Sequence, residues 1–223
     1  MSRVLISFCV VLMYFSNGEA QLLRGVGFKA GVDLSTQEWE QINYFGVQNP
    51  DWDFRTGFSV GLFSEVFNHE LLSAVVQISY NRKGFRGEAS FPLFDEGAVF
   101  RHESKMEYLT FAIYPKLRMK AISSGGFNPY LFAGPSYGIF LSEKGSQLFD
   151  EVPRGSSKKI SGSVIEGRNA WGALMGAGVE LTGLAADILF VEISYSQDFS
   201  NISRSGVADI HNKSIELKMG ILY

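Results

Sequence analysis

The sequence predicts an all-β protein: an eight-stranded antiparallel transmembrane β-barrel, an up-and-down meander with both termini on the periplasmic side. Three observations predict it. Eight segments alternate apolar and polar residues with the side-chain period of 2 that a strand requires. The connections between them alternate short and long, as in an outer-membrane barrel. The chain opens on a secretion signal and closes on an amphipathic strand that stops at an aromatic residue, Tyr223.

The signal occupies residues 1–20. Arg3 supplies the positive n-region, Val4 to Phe15 the apolar h-region, and Gly18 and Ala20 the small residues before a cleavage point at Gln21. This apolar run is too short for a membrane helix, which needs roughly 20 residues. Cys9, the only cysteine, lies within it and follows the bulky Phe8. The mature chain, residues 21–223, therefore has no thiol for a disulfide or a metal. No later segment has the length of a transmembrane helix, so a membrane form must be a closed barrel.

The strands follow in order. The first, residues 25–35, sets Val26, Phe28, Ala30, Val32 and Leu34 against Gly27, Lys29, Gly31 and Asp33. In the second, 55–67, Phe58, Val60, Leu62 and Val66 oppose Gly57, Ser59, Gly61 and Glu65. The third, 71–81, opposes Leu72, Ala74, Val76, Ile78 and Tyr80 to Ser73, Gln77 and Ser79. The fourth, 107–119, opposes Leu109, Phe111, Ile113 and Leu117 to Thr110, Tyr114, Lys116 and Arg118. In the fifth, 129–142, Leu131, Ala133, Tyr137, Ile139 and Leu141 face away from Gly134, Ser136 and Gly138. The sixth, 170–182, separates Trp171, Ala173, Met175, Ala177, Val179 and Leu181 from Gly172, Gly176, Gly178 and Glu180. The seventh, 188–198, separates Leu189, Val191, Ile193 and Tyr195 from Glu192, Ser194, Ser196 and Asp198. The last, 214–223, places Ile215, Leu217, Met219, Ile221 and Tyr223 opposite Ser214, Glu216, Lys218 and Gly220. An edge strand with such a face would aggregate unless its sheet closed.

Short turns fall at 68–70, 121–128 and 183–187, and long loops at 36–54, 82–106, 143–169 and 199–213. An even strand count puts both termini on the short-turn side. Alternation alone does not say which face meets lipid. The polar face is rich in Gly and Ser with a few long charged residues, which fits the crowded interior of eight strands rather than a solvated surface. Phe67, Tyr80, Tyr108, Tyr130, Trp171, Tyr195 and Tyr223 stand near segment ends, where aromatic girdles are expected.

The runs Gly27-Phe-Lys-Ala-Gly-Val-Asp-Leu-Ser35, Gly57-Phe-Ser-Val-Gly-Leu-Phe63, Gln77-Ile-Ser-Tyr-Asn-Arg-Lys-Gly84 and Pro129-Tyr-Leu-Phe-Ala-Gly-Pro135 carry a family likeness. The chain resembles the small outer-membrane β-barrel domain of bacteroidete bacteria, which includes the PorT-like proteins. The resemblance spans nearly the whole mature chain. It implies an eight-stranded barrel inserted by the outer-membrane assembly machinery through its C-terminal strand, and an association with secretion for the PorT-like members.

The polar face predicts a network in the lumen: Lys29, Asp33, Glu65, Lys116, Arg118, Glu180, Glu192, Asp198, Glu216 and Lys218. Unpaired buried charge is costly, so these groups should pair. They can be read as a salt-bridged plug or as a selective pore. The little aqueous room inside eight strands favours the plug.

The long loops hold two aromatic groups, Trp39, Tyr44, Phe45 and Trp52 in the first, and Phe85, Phe91, Phe94 and Phe100 in the second. They form either a binding surface or hairpins packed on each other. The segment 145–167, rich in Gly, Ser and Lys, is expected to be mobile.

A net charge of −3 with no basic stripe argues against nucleic acid as partner. No cofactor motif is present, since Gly172-Ala-Leu-Met-Gly-Ala-Gly178 lacks the strand-to-helix context of a dinucleotide loop. His102 and Ser104, two apart on one strand face, are a candidate pair for an outer-rim hydrolase, with His211 in another outer loop, and the simpler reading is solvated loop histidines. The functional expectation is a non-catalytic outer-membrane barrel with a plugged polar lumen, acting as scaffold, surface binder or secretion partner through its long loops. The alternative is a lipid-modifying enzyme or a narrow channel. Expected partners are outer-membrane lipid, the assembly machinery, and a secretion-system or surface protein.

Overall fold

The computed structural model describes residues 21–40, 51–91, 98–122, 125–151, 156–161, 168–182, 188–202 and 209–223. Nine strands follow one another: β1 (Gln21–Glu40), β2 (Asp51–Asn68), β3 (Leu72–Phe91), β4 (Ala98–Arg118), β5 (Phe127–Glu151), β6 (Ser156–Ser161), β7 (Ala170–Leu181), β8 (Ile188–Asp198) and β9 (Asp209–Leu222). Eight of them close a barrel. β1 to β5 pair in sequence, β5 pairs with β7, and β7 to β9 pair in sequence. β9 then pairs antiparallel with β1, from Gly27↔Leu222 to Glu40↔Asp209. Closure leaves no barrel strand with a bare edge. β6 pairs only with the far end of β5, from Ser146↔Ser161 to Glu151↔Ser156, and forms a hairpin beyond the barrel.

The period-2 pattern orients the wall. Val26, Phe28, Val32, Leu62, Val76, Ile113, Leu131, Met175, Ile193, Leu217 and Met219 are exposed on the outside, while the ten predicted lumen residues are buried. On β4 the outward apolar residues run from Leu117 to Leu109 before Glu107 interrupts them. Nine residues is the length a tilted strand needs to cross a bilayer core. The outer wall is thus a membrane-height apolar band. The core lies inside the barrel, not between layers.

β3, β4 and β5 have 20, 21 and 25 residues, about twice the length needed to cross. The excess extends the wall as hairpins at the end opposite the short turns. Much of what alternation assigned to the loops 36–54, 82–106 and 143–169 is therefore strand. There the inward face mixes polar with apolar residues, Lys83 beside Phe85 and Ser104 beside Met106, so the hydrogen-bonded ladder continues without the clean alternation that marks it in sequence. The segment 145–167, expected as a mobile loop, contains the outer part of β5 and all of β6.

Gln21 and Tyr223, the first and last described residues, lie at the short-turn end. Gln21 pairs with Asn68 beside the β2–β3 turn, and Tyr223 exchanges backbone hydrogen bonds with Val26 at 3.0 and 3.2 Å. The predicted signal segment, 1–20, lies outside the described residues.

Candidate functional site

Among the described residues, the lumen is packed with side chains in layers. Nearest the short turns, Glu65 on β2 and Glu180 on β7 gather three cations. Arg24 Nη1 lies 2.9 Å from Glu65 and 2.7 Å from Glu180. Lys116 Nζ is 3.1 Å from Glu65 Oε2 and also contacts Glu180, and Arg118 contacts both carboxylates. Ser73 Oγ donates to Glu65 at 2.5 Å. Five side chains from β1, β2, β4 and β7 meet at one point, which ties the walls across the barrel.

The middle layer is a thread of five side chains. Lys29 Nζ donates to Glu192 Oε1 at 2.5 Å and to Tyr114 Oη at 3.0 Å. Tyr114 Oη donates to Gln77 Oε1 at 3.2 Å, and Tyr130 Oη donates to Glu192 Oε2 at 3.2 Å. Around the thread sit Phe63, Val75, Phe132 and Phe190, with Phe63 edge-on to Phe190 at 5.3 Å between ring centres. Glycine makes room for these rings. Phe63, Tyr130, Phe132 and Phe190 each lie opposite a glycine of the next strand: Gly27, Gly178, Gly176 and Gly220. A Cβ at Gly27 would fall 2.3 Å from Phe63, and one at Gly178 would fall 2.4 Å from Tyr130.

Above the thread, Lys83, Lys218, Asp33, Asp198 and Glu216 share a polar layer. Gln37 Nε2 donates to Asn212 at 3.0 Å, Asn212 Nδ2 to Asp198 at 2.9 Å, and Ser196 and Ser214 are 2.7 Å apart. Lys218 contacts Glu216. Asp33 and Glu216 are cross-strand neighbours, and neither oxygen of the buried Asp33 carboxyl has a hydrogen-bond partner. The Ser35 hydroxyl that could reach it is committed to the backbone of Gly84. A cavity of about 30 Å³ opens beside this layer, lined by Lys83, Ser194, Ser196, Asp198, Glu216 and Lys218 among others; that is room for about one or two waters.

The layer is capped toward the long-loop end by an apolar cluster of Phe85, Met106, Tyr108, Ala170, Ile202 and Ile210. Ile202, from the segment after β8, turns inward and hydrogen-bonds to Ile210 through its backbone N–H at 3.0 Å.

All ten predicted lumen residues are brought into these layers. The sequence reading missed two cations, Arg24 and Lys83. Arg24 points inward because a β-bulge between Leu23 and Gly25 shifts the register. Such an extra residue moves the following side chains to the other face. Lys83 points inward because the period of β3 continues past Asn81, where the basic run Arg82-Lys83 reads as the start of a loop. Charge bookkeeping could have found both. The predicted faces carry six carboxylates and four cations, and Arg24 and Lys83 bring the cations to six.

Several aromatic assignments are corrected. Phe85, expected on the loop binding surface, is wholly buried in the apolar cap. Tyr108 and Tyr130, expected in the aromatic girdles, are buried in the lumen. Both lie on inward positions of their strands, where the Tyr108 hydroxyl accepts from Asn212 and that of Tyr130 donates to Glu192. The backbones of Trp39, Trp52, Phe91 and Phe100 lie in strands β1 to β4, while their side chains, and Tyr44, Phe45 and Phe94 altogether, lie outside the described residues. Ser104 is buried and donates to Glu143 at 2.7 Å. The side chain of His102 lies outside the described residues.

Two rims complete the picture. In the short turns, Lys120 contacts Glu70 and holds its exposed carboxyl below the usual carboxylate range. On the outer wall just above the apolar band, Arg82 pairs with Glu107 at 2.9 Å and lies 5.3 Å from the centre of the Phe58 ring. Among the described residues, no group of three or more His, Cys, Asp and Glu side chains is placed to hold a metal ion.

A family model described as "Outer membrane protein beta-barrel domain" matches residues 16–204. No curated protein matches the chain in sequence. Among solved structures, Neisserial surface protein A is similar over 91% of this chain and 100% of its own, at 11% identity and a TM-score of 0.48. The outer membrane protein OprG of Pseudomonas aeruginosa covers 90% of this chain and 97% of its own, at 12% identity and a TM-score of 0.44. The attachment invasion locus protein Ail of Yersinia pestis covers 89% and 99%, at 16% identity and a TM-score of 0.40.

Proposed function

We propose, from the premise that this chain belongs to the outer membrane protein β-barrel domain family, that it is a non-catalytic barrel whose work is done by its outer surface. The protein resides in the outer membrane. Its role in this reading is scaffold, surface binder or secretion partner. The PorT-like resemblance of its strand motifs supports the last of these. The short turns and both termini face the periplasm, and the hairpins of β1–β2, β3–β4 and β5–β6 project outward.

One observation carries the proposal: the lumen is occupied throughout its length. Among the described residues, twelve charged side chains, aromatic rings over glycines and an apolar cap fill the interior, and the cavity beside Lys83 and Lys218 measures only about 30 Å³. A barrel without a solute path has only its wall and its hairpins to offer a partner. The burial of Ser104, with its hydroxyl given to Glu143, supports the non-catalytic reading, because a nucleophile must meet substrate.

The test is affinity isolation of the intact protein from its native outer membrane after mild solubilisation. A stoichiometric protein partner that is lost when the β3–β4 hairpin beyond Lys83 is replaced by a short turn is the expected result. Isolation of the protein alone, with lipase or acyltransferase activity on outer-membrane lipid, would overturn it.

A further inference from the structure

We propose that the outer wall carries a binding site for the phosphate of an anionic lipid headgroup, centred on Lys105 and Lys144. The two lysines are direct cross-strand partners on β4 and β5. Both are exposed. Like charges directly opposite on a sheet repel. Among the described residues neither has a carboxylate partner, although two other cations nearby, Arg82 and Arg55, do. Arg82 is paired with Glu107, and Arg55 with Glu103 at 2.8 Å. Exposed Arg86 on β3 stands one row further from the membrane, opposite Glu103.

Their height selects the ligand. One outward position below Lys105 is Glu107, and below that the apolar band begins at Leu109. On β5, Ser142 lies next below Lys144 in the row of Glu107, and exposed Leu141 and Tyr137 follow beneath it. Cations one step above an apolar wall meet lipid headgroups, while the wall meets acyl chains. A phosphate between Lys105 and Lys144 would relieve their repulsion, and its chains would lie along Leu141, Tyr137 and Phe111. The opposite wall is different: there Lys213 is already paired with Glu38 at 2.7 Å. The site therefore faces one side of the barrel. It deepens the reading of an outer surface that binds, but needs only that the barrel spans a bilayer.

The test uses full-length mature protein folded in zwitterionic detergent, with folding checked by heat-dependent gel mobility. Phosphatidic acid and phosphatidylcholine of the same chains are offered, and retained lipid is read by native mass spectrometry. The wild type should retain phosphatidic acid about thirtyfold better than Lys105→Gln/Lys144→Gln, the attraction of two surface cations. Lys105→Arg/Lys144→Arg and Lys213→Gln should retain it as the wild type does. If the double Gln variant does not fold, Lys144→Gln alone should lose about fivefold. Equal retention by wild type and Gln variants, or an equal loss in Lys213→Gln, would overturn the site. Displacement by inorganic phosphate at matched concentration would show a free-anion site and overturn the lipid assignment. None of these results bears on the affinity isolation of a protein partner, so the two readings fail separately.

Discussion

Lys29 on β1 donates to Glu192 on β8 across 2.5 Å, and both are buried at the centre of the lumen. Their strands are not neighbours: β9 lies between them. The ammonium also reaches Tyr114 on β4, on the far wall. One ion pair thus couples three parts of the barrel at mid-height. Buried ion pairs contribute little net stability, because desolvation offsets the attraction, but losing one partner strands the other.

Glu192→Ala should therefore destabilise the folded barrel by about 3–5 kcal/mol, since it leaves Lys29 buried without its counter-charge. Lys29→Met/Glu192→Met should recover most of that loss. Urea unfolding from lipid vesicles, followed by tryptophan fluorescence, measures both. A double variant as unstable as the single would show that the pair is not what Glu192 stabilises.

Asp33→Asn should behave in the opposite way. Its carboxyl has no hydrogen-bond partner and stands across from Glu216. Removing one of two like charges facing each other should leave stability unchanged or raise it by up to about 1 kcal/mol. The same unfolding experiment reads this, and a loss comparable to that of Glu192→Ala would contradict the layer described.

Gly27→Val should cost about 1–3 kcal/mol by overpacking, because its Cβ would meet the Phe63 ring at 2.3 Å. Combining it with Phe63→Leu should return part of the loss. Additive losses in the double variant would argue against the ring-over-glycine contact.

On the lipid side, Val60→Arg and Ile193→Arg should impair folding into vesicles, since a charge facing mid-membrane lipid costs roughly 2–4 kcal/mol. Ser59→Arg avoids that penalty and meets the crowding of the lumen instead. Heat-dependent gel mobility scores insertion. Full insertion of both lipid-face variants would mean that the faces are reversed.

Most of the barrel was legible because membrane-height strands have one apolar and one polar face, and only these strands alternate visibly. Phe28 and Val32 outward, with Lys29 and Asp33 inward, follow from spacing alone. The hairpin extensions were not legible, because their inward face mixes polar with apolar residues, Lys83 beside Phe85 and Ser104 beside Met106. Arg24 was hidden by a bulge, which shifts register without a sequence mark of its own. Tyr108 and Tyr130 were misread for a different reason. Aromatics suit both girdle and lumen, and what places these two inside is their partners: for Tyr130, Gly178 beneath the ring and Glu192 at the hydroxyl.

The most direct test of a lumen filled from end to end is planar-bilayer recording of the purified, folded protein. The charged layers at Glu65 and Glu180, the Lys29–Glu192 thread and the cap at Phe85 and Ile202 predict no conductance above the bare membrane. A stable, reproducible single-channel conductance that disappears when the lumen is blocked, for example by Gly176→Trp, would contradict the account and make the protein a channel.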